Sequence, residues 1–365
     1  MEVALYGPGG YYTGDGRTGP RGDYFTSPYA HPAFGALIAV QLRDFWLALG
    51  SPASFVAVEF GAGGGLLAED VTSYAHGLDE AFARSLSYVT HDLAAGSIDL
   101  STLAGMASCV LSNELLDAMP VHRFTVSGGL LQELYVTLRG GKFIEELGEP
   151  STPEIAARLN TLAQSLPDGY RGEVNPGIGP WAHQVTSLVH RGFVLTVDYG
   201  HDRPVLYSPE RSRGTLRSYY RHTLGGNPFD HVGDQDLTAH VDFTAVDEAL
   251  GAEGFAAIGS TSQREFLYNL DLPGFQAQSL PPEDVAGMQS LIDPEGLGAF
   301  RVVVHSKGVD AQPVAGLTPH LEEIDRTVLP LPLLQPGSRH IRQQLGRDTS
   351  HSSKLPTWEQ LFSEE

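Results

Sequence analysis

A glycine-rich turn near residue 60 is the segment of the sequence that points most directly to chemistry. The apolar run FVAVEF carries Glu59 near its end, and glycines follow at alternate positions, Gly61, Gly63 and Gly65, before a helical segment begins. Without side chains, the backbone here can turn tightly and approach a bound nucleotide closely, beside the N-terminus of the helix. The sequence therefore predicts a nucleotide-binding strand–loop–helix unit.

The kind of nucleotide follows from the spacing of the glycines. The loop is more compact than the G-x-G-x-x-G of dinucleotide sites, and it begins with Glu59. This arrangement is typical of methyltransferases, in which the glycines pack against the methionine and ribose parts of S-adenosylmethionine. The alternative is a tight turn with a purely structural role. Because of the leading acid and the strand–loop–helix context, we predict S-adenosylmethionine as the cofactor.

A second cofactor contact is expected at the end of the next strand. Nucleotide folds of this type use an acid there to bind the ribose hydroxyls. Asp92, which ends the segment LSYVTHD, is the candidate for this role. The alternative is that Asp92 is a helix cap or a turn residue.

Three polar residues in NELLDAMP are candidates for a ligand site, and two of them, Glu114 and Asp117, could bind a methyl acceptor. Asn113 follows an apolar strand, at the edge where open α/β sheets bind ligands. Glu114 and Asp117 are three residues apart and would share a face if a helical turn begins there. They could then clamp an arginine guanidinium, which is always charged and needs carboxylates to orient it and take its proton. Alternatively, Asn113 caps a helix and Asp117 is a solvated acid of its first turn.

Further candidates follow the strand FVLTVDY, whose last residues are Asp198 and Tyr199. They also lie at the edge of the sheet that binds ligands, and a polar pair after a buried strand favours a functional site. None of the 14 histidines has a metal-ligand spacing with an acid, so we predict no metal.

The elements that position these residues alternate along the chain as strands and helices, which predicts a parallel sheet with helices on both faces. We divide the sequence into four parts. Residues 1–121 hold an N-terminal cap and the cofactor-binding half of the core, and residues 122–190 form an inserted α+β region for substrate recognition. Residues 191–308 complete the core, and residues 309–365 form a poorly ordered tail rich in Pro, Ser and charge.

Composition limits the partners. The net charge is −21, so we expect no binding to nucleic acid and an attraction to a basic partner, although acidity also serves solubility. No apolar stretch is long enough for a membrane helix, and the sequence MEVALYGPGGYYTGDG lacks the features of a signal peptide. The single cysteine, Cys109, fits a reducing compartment, and we predict the cytoplasm. A homodimer is left open.

Several segments in order resemble one family, the MidA-like methyltransferases, which includes the mitochondrial complex I assembly factor that methylates a protein arginine. They are GDYFTSPYAHPAFG, VEFGAGGG, SNELLDAMPVHRF, GEVNP, VDYGHDR and GTLRSYYRH…DLTAHVDFTAV, and they span roughly residues 5–305. The resemblance implies a Rossmann-like methyltransferase fold with a mostly parallel seven-stranded sheet. It also implies S-adenosylmethionine as cofactor and N-methylation of an arginine in a protein.

The resemblance carries site residues over to matching positions. It assigns to the cofactor the N-terminal motif, the glycine loop, the ribose acid and the residue after the fourth strand: Gly22, Asp23, Tyr24, Thr26, Ser27, Glu59, Gly61, Gly63, Gly65, Asp92 and Asn113. It assigns to catalysis Glu114, Asp117, Asp198 and His222.

Three features depart from the family pattern. Tyr29 stands where the family has Glu, and Asp92 replaces the usual Glu of the ribose site. Only twenty residues separate Asp92 from Asn113, so a helix and a strand beside the adenine pocket are predicted to be shortened or missing.

Three functions follow as alternatives. The first is N-methylation of an arginine in a protein or peptide. The second is O- or N-methylation of a small molecule or peptide in a biosynthetic pathway, which would need a different pocket. The third is a non-catalytic binding or assembly protein with a degenerate cofactor site.

Overall fold

The computed structural model describes residues 1–13, 26–93, 99–153, 155–156, 166–220, 223–225, 227–310, 313–318 and 331–341. The chain divides into two compact units. The first unit comprises Met1–Arg17, Leu116–Gln184 and Tyr199–Glu253, and the second comprises Thr18–Leu115, Val185–Asp198 and Gly254–Glu365. The first unit thus takes in most of the predicted inserted region together with a segment that follows Asp198.

Fifteen strands occur in the described residues and are numbered in chain order. They are β1 (Phe55–Phe60), β2 (Leu86–His91), β3 (Ala107–Asn113), β4 (His122–Ser127), β5 (Leu130–Arg139), β6 (Lys142–Gly148), β7 (Arg171–Val174), β8 (Gly192–Asp198), β9 (Gly200–His201), β10 (Arg217–Tyr220), β11 (Thr223–Gly225), β12 (Asp236–Thr238), β13 (Val241–Asp242), β14 (Ala256–Ser262) and β15 (Arg301–Lys307).

The α-helices of the described ranges are also numbered in chain order. They are α1 (Glu2–Tyr6), α2 (Ser27–Ala30), α3 (Ala33–Ala48), α4 (Leu66–Leu78), α5 (Glu80–Ser85), α6 (Ile178–Leu188), α7 (Arg203–Leu206), α8 (Phe243–Ala252), α9 (Gln263–Asn269), α10 (Leu272–Gln276) and α11 (Pro282–Leu291). A helix predicted over residues 153–166 lies mostly outside the described residues.

The second unit contains the central sheet, with the strand order β14-β15-β8-β3-β1-β2. Strands β2, β1, β3 and β8 are parallel, and β15 runs antiparallel to both of its neighbours. The predicted α/β fold with a mostly parallel sheet is confirmed. In the described residues, however, the sheet has six strands rather than the predicted seven.

The difference lies at the β2 edge of this sheet. Only a short stretch links Asp92 to β3, and its described part forms a 3-10 helix, Leu100–Leu103, and no strand. A further strand and its helix need more residues than this connection provides. The short spacing in the sequence is therefore matched by a sheet that ends at β2.

Helix α3 packs closely against α4 and against the sheet. A Cβ at Gly35 would lie 2.4 Å from Asp70 Cβ, so glycine at this position allows the two helices to approach. The rings of Phe45 and Phe193 stack with centroids 4.1 Å apart, and Trp46 and Phe82 also pack together. These buried aromatic contacts attach α3 to the core that supports β1 and β8.

The first unit is built on a four-stranded antiparallel sheet, β6-β5-β4-β7. The sequence of residues 122–138 predicts a hairpin with Gly128-Gly129 as its turn, and the structure confirms it, because both glycines have positive φ and join β4 to β5. Phe124, Tyr170 and Tyr207 pack in its core. Two smaller sheets, β11-β10-β12 and β13-β9, complete the unit.

The predicted tail is partly integrated into the second unit. Residues 313–318 and 331–341 are described, and Leu334 and His340 are buried. The remainder of residues 319–365 lies outside the described residues. In the described parts of the chain, no helix is long and apolar enough to cross a membrane.

Candidate functional site

The glycine loop joins the end of β1 to α4 in the second unit. Gly61, Gly63 and Gly65 have φ of 71°, 51° and 75°, a region of backbone space that glycine adopts far more readily than other residues. Gly65 is the N-cap of α4. The alternating glycines thus follow from a backbone that must turn left-handed three times before the helix begins.

The space around the loop suits a ligand that lies against the backbone. A Cβ at Gly61 would approach Leu115 Cδ1 to 2.9 Å, whereas a Cβ at Gly65 would meet no described atom within 4 Å. Packing against Leu115 therefore excludes a side chain at Gly61, while the surface at Gly65 is open. Binding of S-adenosylmethionine by this loop stays a prediction.

Glu59 lies buried at the start of the loop, 3% exposed, and accepts a 3.0 Å hydrogen bond from Tyr88 Oη. Burial raises the pKa of Glu59 to about 7, although the hydrogen bond from Tyr88 lowers it. Tyr88 is a residue that the sequence reasoning missed. Its position on β2, beside a strand that ends in a buried acid, was the only signal.

Asp92 follows β2 and contacts the loop directly. Its Oδ2 accepts a 2.9 Å hydrogen bond from the backbone N–H of Gly63, and the preceding carbonyl of His91 accepts one from the N–H of Gly61. The predicted ribose acid and the predicted glycine loop are thus in contact. Binding of ribose by Asp92 stays a prediction.

Asn113 and Glu114 lie at the carboxyl end of β3. Asn113 Nδ2 donates a 2.9 Å hydrogen bond to Glu114 Oε1, while Asn113 Oδ1 is buried and has no hydrogen-bond partner among the described residues. Glu114 has φ of 52°, a rare conformation for a residue with a side chain. Strained backbone of this kind clusters at functional sites.

The described part of the N-terminal motif meets the same edge of the sheet. The backbone N–H of Ser27 donates to Glu114 Oε1 at 3.3 Å, and the Ser27 hydroxyl donates to Gln263 Oε1 at 2.9 Å. Thr26 is the N-cap of α2. Gln263 was not predicted. The other predicted members of the motif, Gly22, Asp23 and Tyr24, lie outside the described residues.

Asp198 ends β8 and is fully buried. Strands β3 and β8 are neighbours, with Asn113 paired to Val197, and the N–H of Glu114 donates to the Val197 carbonyl at 2.9 Å. Glu114 and Asp198 therefore follow paired positions on adjacent strands. The structure brings these two predicted acids to the same end of the sheet.

Asp117 belongs to the first unit and has different partners. It is buried, its Oδ2 lies 2.5 Å from Tyr199 Oη, and its Oδ1 has no hydrogen-bond partner among the described residues. Burial raises the pKa of Asp117 to about 6. The helical turn that would place Glu114 and Asp117 on one face does not form, because residues 114–120 form turns and bends and Glu114 is left-handed.

Two more residues belong to segments that resemble the family, His222 in GTLRSYYRH and Asp242 in DLTAHVDFTAV. His222 lies outside the described residues. Asp242, a motif residue of the family resemblance, is the N-cap of α8, accepting from the N–H of Ala245 and pairing with Arg203. In the described residues, no group of three or more His, Cys, Asp or Glu side chains is arranged to hold a metal ion.

The chain is similar in sequence to known methyltransferases. A sequence profile of S-adenosyl-L-methionine-dependent methyltransferases matches residues 37–97 and 98–261, more than half of the chain. The chain belongs to this methyltransferase family. It is an enzyme whose cofactor is S-adenosylmethionine, and the MidA-like resemblance in its motifs is confirmed.

Solved structures agree with this assignment. A Burkholderia thailandensis protein bound to S-adenosyl-homocysteine superposes with a TM-score of 0.74 and 28% identity, over 87% of this methyltransferase and 88% of that chain. A second, native structure from the same organism is 28% identical and superposes with a TM-score of 0.72, over 87% of this methyltransferase and 88% of that chain.

Curated relatives carry arginine methyltransferase names. The mitochondrial protein arginine methyltransferase NDUFAF7 homolog of Drosophila melanogaster is 27% identical, covering 87% of this chain and 83% of its own length. The mitochondrial NDUFAF7 arginine methyltransferase of Rattus norvegicus is 26% identical, over 82% and 77%. Because both names say mitochondrial, they lend no support to the cytoplasmic location, which stays a prediction.

Proposed function

We propose that this methyltransferase N-methylates an arginine guanidinium in a protein or peptide. The observation that supports the proposal most is that Glu114 and Asp198 directly follow the paired residues Asn113 and Val197 at the carboxyl ends of adjacent strands. Adjacent strands lie about 4.8 Å apart, so two acids that follow paired positions start from neighbouring points of the backbone.

The chemistry of the acceptor explains why two acids are useful. A guanidinium stays protonated at ordinary pH and presents several N–H donors in a planar fork that matches carboxylates. Glu114 and Asp198 would orient one guanidinium nitrogen and accept the proton that it loses on methylation. S-adenosylmethionine, when bound, supplies the methyl group and leaves as S-adenosylhomocysteine.

The placement of Glu114 also favours a role in acceptor binding. Its backbone is held in a left-handed conformation by the bond to Val197, and its carboxylate already accepts from Asn113 and from the N–H of Ser27. A carboxylate held by several donors is pre-organised, so less ordering is needed when a cation binds. The net charge of −21 would further attract basic peptides.

The test is transfer of tritium from methyl-labelled S-adenosylmethionine to arginine peptides. Matched peptides with lysine in place of arginine serve as acceptor controls, and the product is identified as methylarginine by amino-acid analysis. We expect Glu114→Gln and Asp198→Asn to lower the rate about a hundredfold or more while S-adenosylhomocysteine still binds. Glu80→Gln, which removes an exposed acid on α5, should retain the rate.

Other outcomes would replace the proposal. Equal labelling of the lysine and arginine peptides would contradict recognition of a guanidinium. Labelling of small molecules without any labelling of arginine peptides would favour the second function, methylation in a biosynthetic pathway.

A further inference from the structure

The segment of residues 331–341 returns from the C-terminal part of the chain to the glycine loop. Arg339 Nη1 donates a 2.6 Å hydrogen bond to the backbone carbonyl of Gly64, in the middle of the loop. The same guanidinium pairs through Nη2 with Glu69 in the first turn of α4, also at 2.6 Å. One side chain thus connects the loop to the helix that follows it.

The segment is attached to the second unit at several other points. His340 Nε2 lies 2.8 Å from Asp70 on α4, and the N–H of Ile341 donates to the carbonyl of Tyr29 at 2.9 Å. The N–H of Leu334 donates to the buried Asp284 at 2.7 Å. The position of Arg339 is therefore fixed by its neighbours and does not depend on the guanidinium contacts alone.

Because Arg339 is partly exposed, replacing it should affect the glycine loop while changing the stability of the protein little. The side chains of Arg339 and Glu69 are 41% and 66% exposed, and ion pairs this accessible to water contribute little to the free energy of folding. The bond to Gly64, in contrast, acts on the part of the backbone that must accept the cofactor. Tyr29 Oη and Arg339 Nη1 both come within 3.0 Å of where a Cβ at Gly64 would stand.

We propose that Arg339 is a positioning residue for the cofactor: its contacts with Gly64 and Glu69 hold the glycine loop in the conformation that receives the amino-acid end of S-adenosylmethionine. The ligand of this site is the cofactor and not the methyl acceptor. The proposal is thus independent of which acceptor the enzyme uses.

The experiment compares two arginine variants of the full-length protein by calorimetric titration. Arg339→Ala removes the contact with Gly64. Arg43→Ala is the matched control, because Arg43 also forms a partly exposed ion pair in this unit, with Asp79 after the last turn of α4. That pair lies about 20 Å along the 13-residue helix from the loop.

Two ligands distinguish a local effect from a general one. S-adenosylhomocysteine carries the amino-acid end, and 5′-methylthioadenosine is the same thionucleoside without it. We expect Arg339→Ala to weaken S-adenosylhomocysteine about tenfold and 5′-methylthioadenosine less than threefold. Arg43→Ala should change neither by more than about twofold, and Arg339→Lys should recover part of the affinity by donating to Gly64.

Three results would overturn the proposal. The first is unchanged affinity of Arg339→Ala for S-adenosylhomocysteine. The second is an equal loss of affinity for both ligands, and the third is an equal loss in both arginine variants, since either would show a general effect on the fold. No acceptor is present in these titrations, so arginine methylation could fail without affecting the result.

Discussion

The hydroxyl of Tyr88 on β2 donates a 3.0 Å hydrogen bond to Glu59 on β1, at the point where the glycine loop begins. Glu59 is buried, and burial raises its pKa to about 7. The hydrogen bond from Tyr88 lowers the pKa, but by less than burial raises it. The glycine loop therefore begins beside a carboxyl group that changes charge near neutral pH.

Glu59 should make the stability of the protein depend on pH. Its pKa rises from 4.5 in the unfolded chain to about 7 on folding, so the folded state holds the proton more tightly. The resulting stabilisation is complete below pH 4.5 and is lost as the pH rises through about 7. Relative to Glu59→Gln, we expect the free energy of unfolding to fall by on the order of 3 kcal/mol across this range.

Urea denaturation of both proteins at a series of pH values measures this difference. Tyr88→Phe removes the donor and should move the decline to higher pH. A difference between wild type and Glu59→Gln that stays constant with pH would contradict the assignment.

Gly63→Arg should abolish cofactor binding without unfolding the protein. Gly63 has φ of 51° on the loop that we assign to the cofactor, so a long side chain there would occupy the space of the ligand. Gly128→Arg is the control, because Gly128 has a similar φ of 61° in an open hairpin turn of the first unit. Titration with S-adenosylhomocysteine should show no binding for the first variant and unchanged binding for the second. Retained binding by Gly63→Arg would mean that the cofactor lies elsewhere.

Tyr199→Phe should lower stability more than Tyr207→Phe. Tyr199 donates to the buried carboxyl group of Asp117, whereas Tyr207 donates to the neutral carbonyl of Glu173. A hydrogen bond to a charged group contributes about 1.5–3 kcal/mol and a neutral one about 1 kcal/mol. The pKa of Asp117 is about 6, so Asp117 is charged above that pH. Tyr199→Phe should therefore lose more free energy of folding than Tyr207→Phe above pH 6, and this difference should shrink below it. Denaturation curves of both variants at pH values on either side of 6 test this, and an equal loss at every pH would count against a charged Asp117.

Glu114→Gly should lose methyl transfer yet keep most of the stability. The residue has φ of 52°, so glycine relieves backbone strain of about 1–2 kcal/mol, which offsets the lost contacts with Asn113 and Ser27. Glu114→Val loses the same carboxylate but adds a β-branched side chain at positive φ, so its melting temperature should fall clearly below that of the glycine variant. Similar melting temperatures for both variants would argue against strain at this position.

The local pattern of the sequence was sufficient for the elements of the central sheet. Strands β1, β3 and β8 are runs of apolar and β-branched residues with turns at their ends, and each was predicted at its place. Apolar residues at helical spacing likewise predict a helix over residues 31–49, where the structure has α3. Such elements are encoded within a few neighbouring residues, so no knowledge of distant contacts is needed.

The arrangement after β3 could not be predicted in this way. Glu114 and Asp117 would share a face only if a helical turn began there, but Glu114 is left-handed and its N–H donates to the carbonyl of Val197, more than eighty residues away. Secondary-structure propensity depends on neighbouring residues in the sequence and does not include such a distant partner. The same holds for Tyr88 and Gln263, whose roles depend on residues that the chain brings near only after folding.

By itself, the sequence determined the glycine loop, the cofactor of the enzyme, the order of strands and helices and the candidate acids, because the alternating glycines and the apolar runs act over short distances. Only the tertiary structure decided which residues meet. It joined Glu114 to the carbonyl of Val197 on the neighbouring strand and Asp117 to Tyr199, and it brought Arg339 of the predicted tail to the carbonyl of Gly64. These contacts join residues far apart in the chain, and their stability depends on burial and geometry that exist only in the folded protein.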